Sequence, residues 1–116
     1  MTAIDNSVLT QLAADLSVAD LRLVLQTFET DMQRLVGSLA AAGQAGDAAG
    51  WQRAAHSIAG AAAAVGASEV ERQARQAMTH FTFGHTSAAV VVAMNLAVAA
   101  ALTELQHFTM PGSPGG

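Results

Sequence analysis

The chain contains no cysteine, no tyrosine and no lysine. Without cysteine there is neither a disulfide framework nor a thiolate zinc site, and the expected compartment is the cytoplasm. Aromatic residues make up 4% of the chain. With alanine dominant as well, this argues against a sheet protein and for close-packed helices. The five basic residues are all arginines, scattered along a chain of formal net charge −4. Nothing resembles a footprint for a phosphate backbone, so nucleic acid is not expected as a partner.

Other absences narrow the class further. The first ten residues lack the basic and apolar regions of a signal peptide. The longest apolar run, Ala88 to Leu102, falls short of the roughly 18 residues that a membrane span needs and carries Asn95 in its middle. It reads as a buried bundle helix, with no membrane partner. At 116 residues the chain is one small domain, without room for a kinase beside it. No Gly-rich phosphate loop, serine–histidine pairing or paired-carboxylate spacing stands out.

What is present is helical periodicity. A short first helix is expected over Val8 to Leu16, capped by Ser7 or Asn6. Ser17 with Asp20 resembles a capping box and opens a long second helix whose stripe is Leu21, Leu25, Phe28, Met32, Leu35 and Leu39. That helix should run to about Ala42 and be broken by Gly43 to Gly46, with Asp47 as the N-cap of the third. There Trp51, Ala55, Ile58, Ala62 and Val65 again step by four and three, and Gly66 is placed to cap the end. Ser68 with Glu71 reads as another capping box, for a fourth helix with Val70, Ala74, Ala77 and Phe81 inward. After a connection over Phe81 to Thr86, Ser87 should cap a fifth helix that buries Val91, Met94, Val98, Ala101, Leu105 and Phe108. The expected architecture is all-α: an antiparallel up-and-down four-helix bundle over residues 1–110 with a short additional N-terminal helix as a lid, then a flexible tail over 111–116.

One residue stands apart from these seams. His56 lies off the core stripe of the third helix, and its helical neighbours are Gln52 and Arg53 one turn before, Ala59 and Gly60 one turn after, then Ala63. None of the following ones has bulk. A glycine inside a helix costs about 1 kcal/mol against alanine, so Gly60 suggests that close approach to this face matters. A histidine whose face is stripped of large side chains is one that another protein can reach. The other histidines offer less: His80 and His85 flank Phe81 and Phe83 in a connection, His107 lies near the end, and no metal site is expected.

The segment AAHSIAGAAAAVGA resembles the signature of histidine-containing phosphotransfer (HPt) domains, including the phosphorylatable domain of chemotaxis kinases, whose pattern is roughly A-H-x-L-K-G-S-x-x-x-x-G. The matching positions are Ala55, His56, Ile58, Gly60, and Gly66 with Ala67, and Gly46-Asp47 before the helix is similar too. The resemblance covers about Leu9 to Phe108. It differs at Ala59, where lysine is usual, at Ala61 and Ala62, where small hydroxyl residues are common, and at Met78, where some members place a glutamine that hydrogen-bonds the imidazole.

The resemblance implies a phosphorelay intermediate in which His56 accepts and donates the phosphoryl group. Its partners would be response-regulator receiver domains and a sensor or hybrid histidine kinase. No cofactor is expected on the chain itself, the Mg²⁺ and a lysine belonging to the receiver. An accessible imidazole can attack an acyl phosphate without a dedicated base, so Ala59 should slow transfer rather than abolish it. Arg53 is a candidate for the missing positive charge. Docking is expected on the His56 face with Gln33 and Gly37 of the second helix and Gln76 of the fourth. The chain would be a monomeric phosphoryl carrier without kinase activity, and its caps and initial methionine favour a stand-alone protein. Two alternatives stay open: an HPt-like module that binds a receiver or kinase without carrying phosphate, and a dimerisation domain that uses the alanine-rich fifth helix.

Overall fold

A computed structural model describes residues 4–79 and 85–109. It contains five helices: α1 (Asn6–Asp15), α2 (Val18–Ala45), α3 (Ala48–Ala64), α4 (Ser68–Thr79) and α5 (His85–Thr109). No strand occurs among the described residues. Helix α2 packs on α3, α3 on α4, α4 on α5 and α5 back on α2, which closes a four-helix ring. The short α2–α3 and α3–α4 turns make each of these pairs antiparallel. The expected all-α bundle is the observed one.

The seams that spacing picked out are the core. On α2, Leu21, Leu25, Phe28, Met32, Leu35 and Leu39 are all buried, as are Trp51, Ala55, Ile58 and Ala62 on α3 and Val65 at its C-cap. Val70, Ala74 and Ala77 of α4 are buried, and so are Met94, Val98, Ala101 and Leu105 of α5, joined by Ala97. Val91 is only half-buried. The expected inward Phe81 lies outside the described residues, as does the side chain of Phe108.

Helix ends follow capping chemistry, with instructive exceptions. Ser17 accepts from the Asp20 N–H at 3.1 Å, and Asp47 Oδ1 accepts from the Gly50 N–H at 2.9 Å, each satisfying one of the donors a helix start leaves open. The cap of α1 is Asp5 instead of Ser7 or Asn6: its Oδ1 accepts from the Ser7 N–H at 2.9 Å and from the Ser7 hydroxyl at 2.6 Å. Helix α4 begins with the Ala67 carbonyl accepting from the Glu71 N–H at 3.0 Å, so Ser68 is its first helical residue, not its cap. The Glu71 carboxylate turns to Arg75 instead.

Two further expectations are corrected by one contact. Gly43 does not break α2, which continues to Ala45 and turns at Gly46 with φ +69°. Ser87 does not cap α5, which starts at His85. The two meet in the core: a Cβ on Gly43 would lie 2.6 Å from Ser87 Cβ and 3.0 Å from Trp51 Cζ3. Gly43 therefore allows α2, α3 and α5 to close on one another, and Ser87 is buried as the small residue facing it.

Helix α1 is tied to the opposite end of α3. The Asp5 N–H donates to the Gly66 carbonyl at 2.6 Å, and Ile4 and Leu9 enter the core. Gly66 has φ +75°, the left-handed conformation that ends α3, and a Cβ there would run into Val8 and the Asp5 carbonyl.

Helix α5 is less enclosed than expected. Val92 is 58% exposed and Leu96 68%. Its segment Ser87–His107 is, by length and composition, long and apolar enough to cross a membrane, which corrects the shorter estimate from the unbroken apolar run. Its inward face is nonetheless part of the bundle core.

Candidate functional site

Helix α3 presents two adjoining outer stripes. One carries Gln52, His56, Ala59 and Ala63, spaced by four, three and four; the next carries Arg53 and Gly60, seven apart. His56, Gln52, Arg53 and Gly60 are exposed, Ala63 is half-buried, and Ala59 is 2% exposed and belongs to the core. A Cβ built on Gly60 would meet nothing within 4 Å. Packing among the described residues therefore gives no reason for a glycine at that place.

The first stripe leans on α4. Trp51 Nε1 donates to the Ala77 carbonyl at 2.9 Å, and Gln52 Nε2 donates to the Met78 carbonyl at 2.7 Å. These carbonyls are in the last turn of α4, where no intrahelical N–H is available to them. Gln52 thus holds the α3–α4 pair in register from the edge of the stripe that carries His56. Ala59, where the resemblance would have a lysine, is two turns on from Gln52, and its small buried side chain brings no cation to the α3 side of His56.

The second stripe borders α2. Arg53, Gly50, Ala54 and Ser57 face Ser38 and Ala41 across a groove of about 490 Å³ that Asp47 closes at one end. Ser38 and Ser57 are residues of this surface that sequence reasoning passed over. Their only signal was position, since neither has a chemistry that marks it.

The structure does not bring together all the expected docking residues. Gln33 and Gly37 are exposed on α2, but they continue the stripe of Gln26 and Glu29, which lines a groove shared with α5, not the side shared with α3. Gly37, like Gly60, has open space where a Cβ would be. Gln76 is exposed on α4, on the stripe of Glu69 and Gln73, while the stripe that continues from Met78 carries Arg75 and Glu71.

Charge on α4 is organised in two ion pairs. Arg72 is bidentate on Glu69, with Nε to Oε1 at 2.9 Å and Nη2 to Oε2 at 2.5 Å. This pair, with Gln73 at 3.0 Å, holds the Glu69 carboxyl well below its ordinary range, at about 2. The second pair joins Arg75 to Glu71, with Nε to Oε2 at 2.8 Å and Nη2 to Oε2 at 2.7 Å. Of the other histidines, His107 is exposed near Ile4 and Glu104, and His80 lies outside the described residues, as do Phe81, Phe83 and the side chain of His85.

A family model described as the Hpt domain matches residues 23–108, from the second turn of α2 to the last turn of α5. No curated protein and no solved structure matches the chain.

Proposed function

The chain belongs to the Hpt-domain family, and from that premise we propose that it carries a phosphoryl group between receiver domains on His56. The observation that carries this reading is an exposed histidine in the middle of a buried-seam helix, beside a glycine for which packing among the described residues gives no reason. A helix interior gives up about 1 kcal/mol for that glycine, and the return is a surface on which another backbone can come close.

The chemistry asked of the chain is small. A ring nitrogen of His56 attacks the phosphorus of a receiver's aspartyl phosphate; the N–P bond forms as the acyl P–O bond breaks, and the aspartate carboxylate leaves with the electron pair. The reverse step delivers the group to another receiver. Positioning and charge neutralisation dominate such transfers, and the receiver's Mg²⁺ and lysine supply much of the latter. The chain serves as carrier, without ATP chemistry, and works as a cytoplasmic monomer with a sensor or hybrid histidine kinase upstream.

The docking surface we propose comprises the His56 stripe, Gly60, and the adjoining α2–α3 groove with Ser38, Arg53 and Ser57. Gln33, Gly37 and Gln76 face other sides of the bundle and are left outside it. Arg53 borders the groove on the far side of Gly60 from α4, which suits a contact with the receiver's surface better than with the phosphoryl group. A second reading, a docking module without phosphate, is favoured by Ala59 and Met78, which offer the imidazole no polar support. Phosphotransfer from a panel of phosphorylated receivers separates the two: label on wild type and none on His56→Gln supports the carrier, and receiver binding without label supports the module.

A further inference from the structure

The register of α3 against α4 is fixed at one end by Gln52 on the Met78 carbonyl at 2.7 Å. From that anchor, four residues along α3, about 6 Å at 1.5 Å per residue, lead to His56 on the same stripe as Gln52. The helices are antiparallel, so the matching move on α4 is backward. Three residues, about 4.5 Å, lead from Met78 to Arg75 on the same stripe. The backbone positions of His56 and Arg75 therefore come at about the same height along the pair, His56 on the flank of α3 toward α4 and Arg75 on the flank of α4 toward α3. Between them the stripe of α3 offers only Ala59, which is buried, and Ala63.

Arg75 is 60% exposed and has two of its donors on one oxygen of Glu71. A guanidinium has five N–H donors, so three remain for another anion without breaking that pair. The Arg72–Glu69 pair, by contrast, is on the other stripe of α4, with Gln73 and Gln76.

We propose that Arg75 takes up the charge of the phosphoryl group on His56, in the place left by the absent lysine, and that Glu71 aims it while the histidine is bare. This rests on the carrier reading above. When the N–P bond forms, the three phosphoryl oxygens bring negative charge to the groove edge, and a planar guanidinium fork matches two of them. Glu71 is at once the holder of the arginine and an anion that opposes phosphate nearby.

The test reads the equilibrium distribution of phosphate between a receiver phosphorylated with acetyl phosphate and His56, with receiver affinity measured separately on the unphosphorylated chain. Arg75→Ala should shift the distribution away from His56 by about two- to fivefold, the range for an exposed, salt-screened ion pair, and Arg75→Lys should recover part of it. Arg72→Ala should leave it unchanged. Glu71→Gln should shift it the other way, because an opposing anion is lost while the cation remains. A merely structural pair would make Arg75→Ala and Glu71→Gln act alike, and that result overturns the proposal. So does an Arg75→Ala distribution equal to wild type, although label on wild type that disappears in His56→Gln would then leave the carrier reading standing. No label on wild type overturns both.

Discussion

Gly43 and Gly60 are both glycines inside long helices of a bundle rich in alanine, and the bundle treats them in opposite ways. At Gly43 a Cβ would collide with Ser87 and press on Trp51. At Gly60 it would point into open space. The helix-propensity cost is the same at both, about 1 kcal/mol. At Gly43 that cost is offset inside the molecule by closing three helices onto a fully buried tryptophan. At Gly60 nothing among the described residues offsets it, and the proposed docking of a partner at the histidine one turn away would supply the reason. The Trp51 end of α3 is built for the fold, and its middle is the part that the proposed function assigns to a partner.

This contrast can be broken by mutation. The largest effect on stability belongs to the junction: Trp51→Ala removes a fully buried ring and its hydrogen bond to Ala77, and should cost about 3–5 kcal/mol in denaturant unfolding. Gly43→Ala should overpack the same junction and cost about 1–3 kcal/mol, with transfer through His56 retained by the molecules that remain folded. Gly60→Ala should do the reverse, raising stability by up to about 1 kcal/mol while it slows phosphoryl transfer severalfold. If Gly60→Ala destabilises the chain and leaves transfer untouched, the contrast fails.

A smaller effect lies away from both places. Glu69 is held near 2 instead of its ordinary 4.5, first by Arg72 and then by Gln73. A carboxyl lowered on folding adds stability above its unfolded value and loses it as the pH falls through the folded one. Stability should therefore decline in part through this group between pH 4.5 and about 2. Glu69→Gln should make the acid limb of a stability–pH curve shallower there without changing transfer at neutral pH.

Much of this fold was legible from spacing alone, because a four-and-three stripe has one physical outcome in a bundle. Asp47, Ser17 and Gly66 announced themselves in the same way, as caps whose chemistry is local. Gly43 did not, since a glycine in a row of alanines marks a break or a close contact equally well, and its partner Ser87 belongs to another helix. His56 was legible as off-seam and lightly surrounded. The company it keeps was not: whether Gln33 or Ser38 shares its side of the bundle depends on which flank of α2 receives α3 and which receives α5, and periodicity within one helix does not contain that choice. Arg75 was hidden for the same reason. The register from which its place opposite His56 is proposed comes from the Gln52–Met78 hydrogen bond, which joins two helices.

The central claim is that His56 carries phosphate, and the direct measurement is transfer from phosphorylated receiver domains to wild type and His56→Gln, read as acid-labile, base-stable label on this chain. The account predicts label on wild type and none on the variant, with receiver affinity retained in both. Receiver binding without label on wild type, whatever the donor, would contradict it.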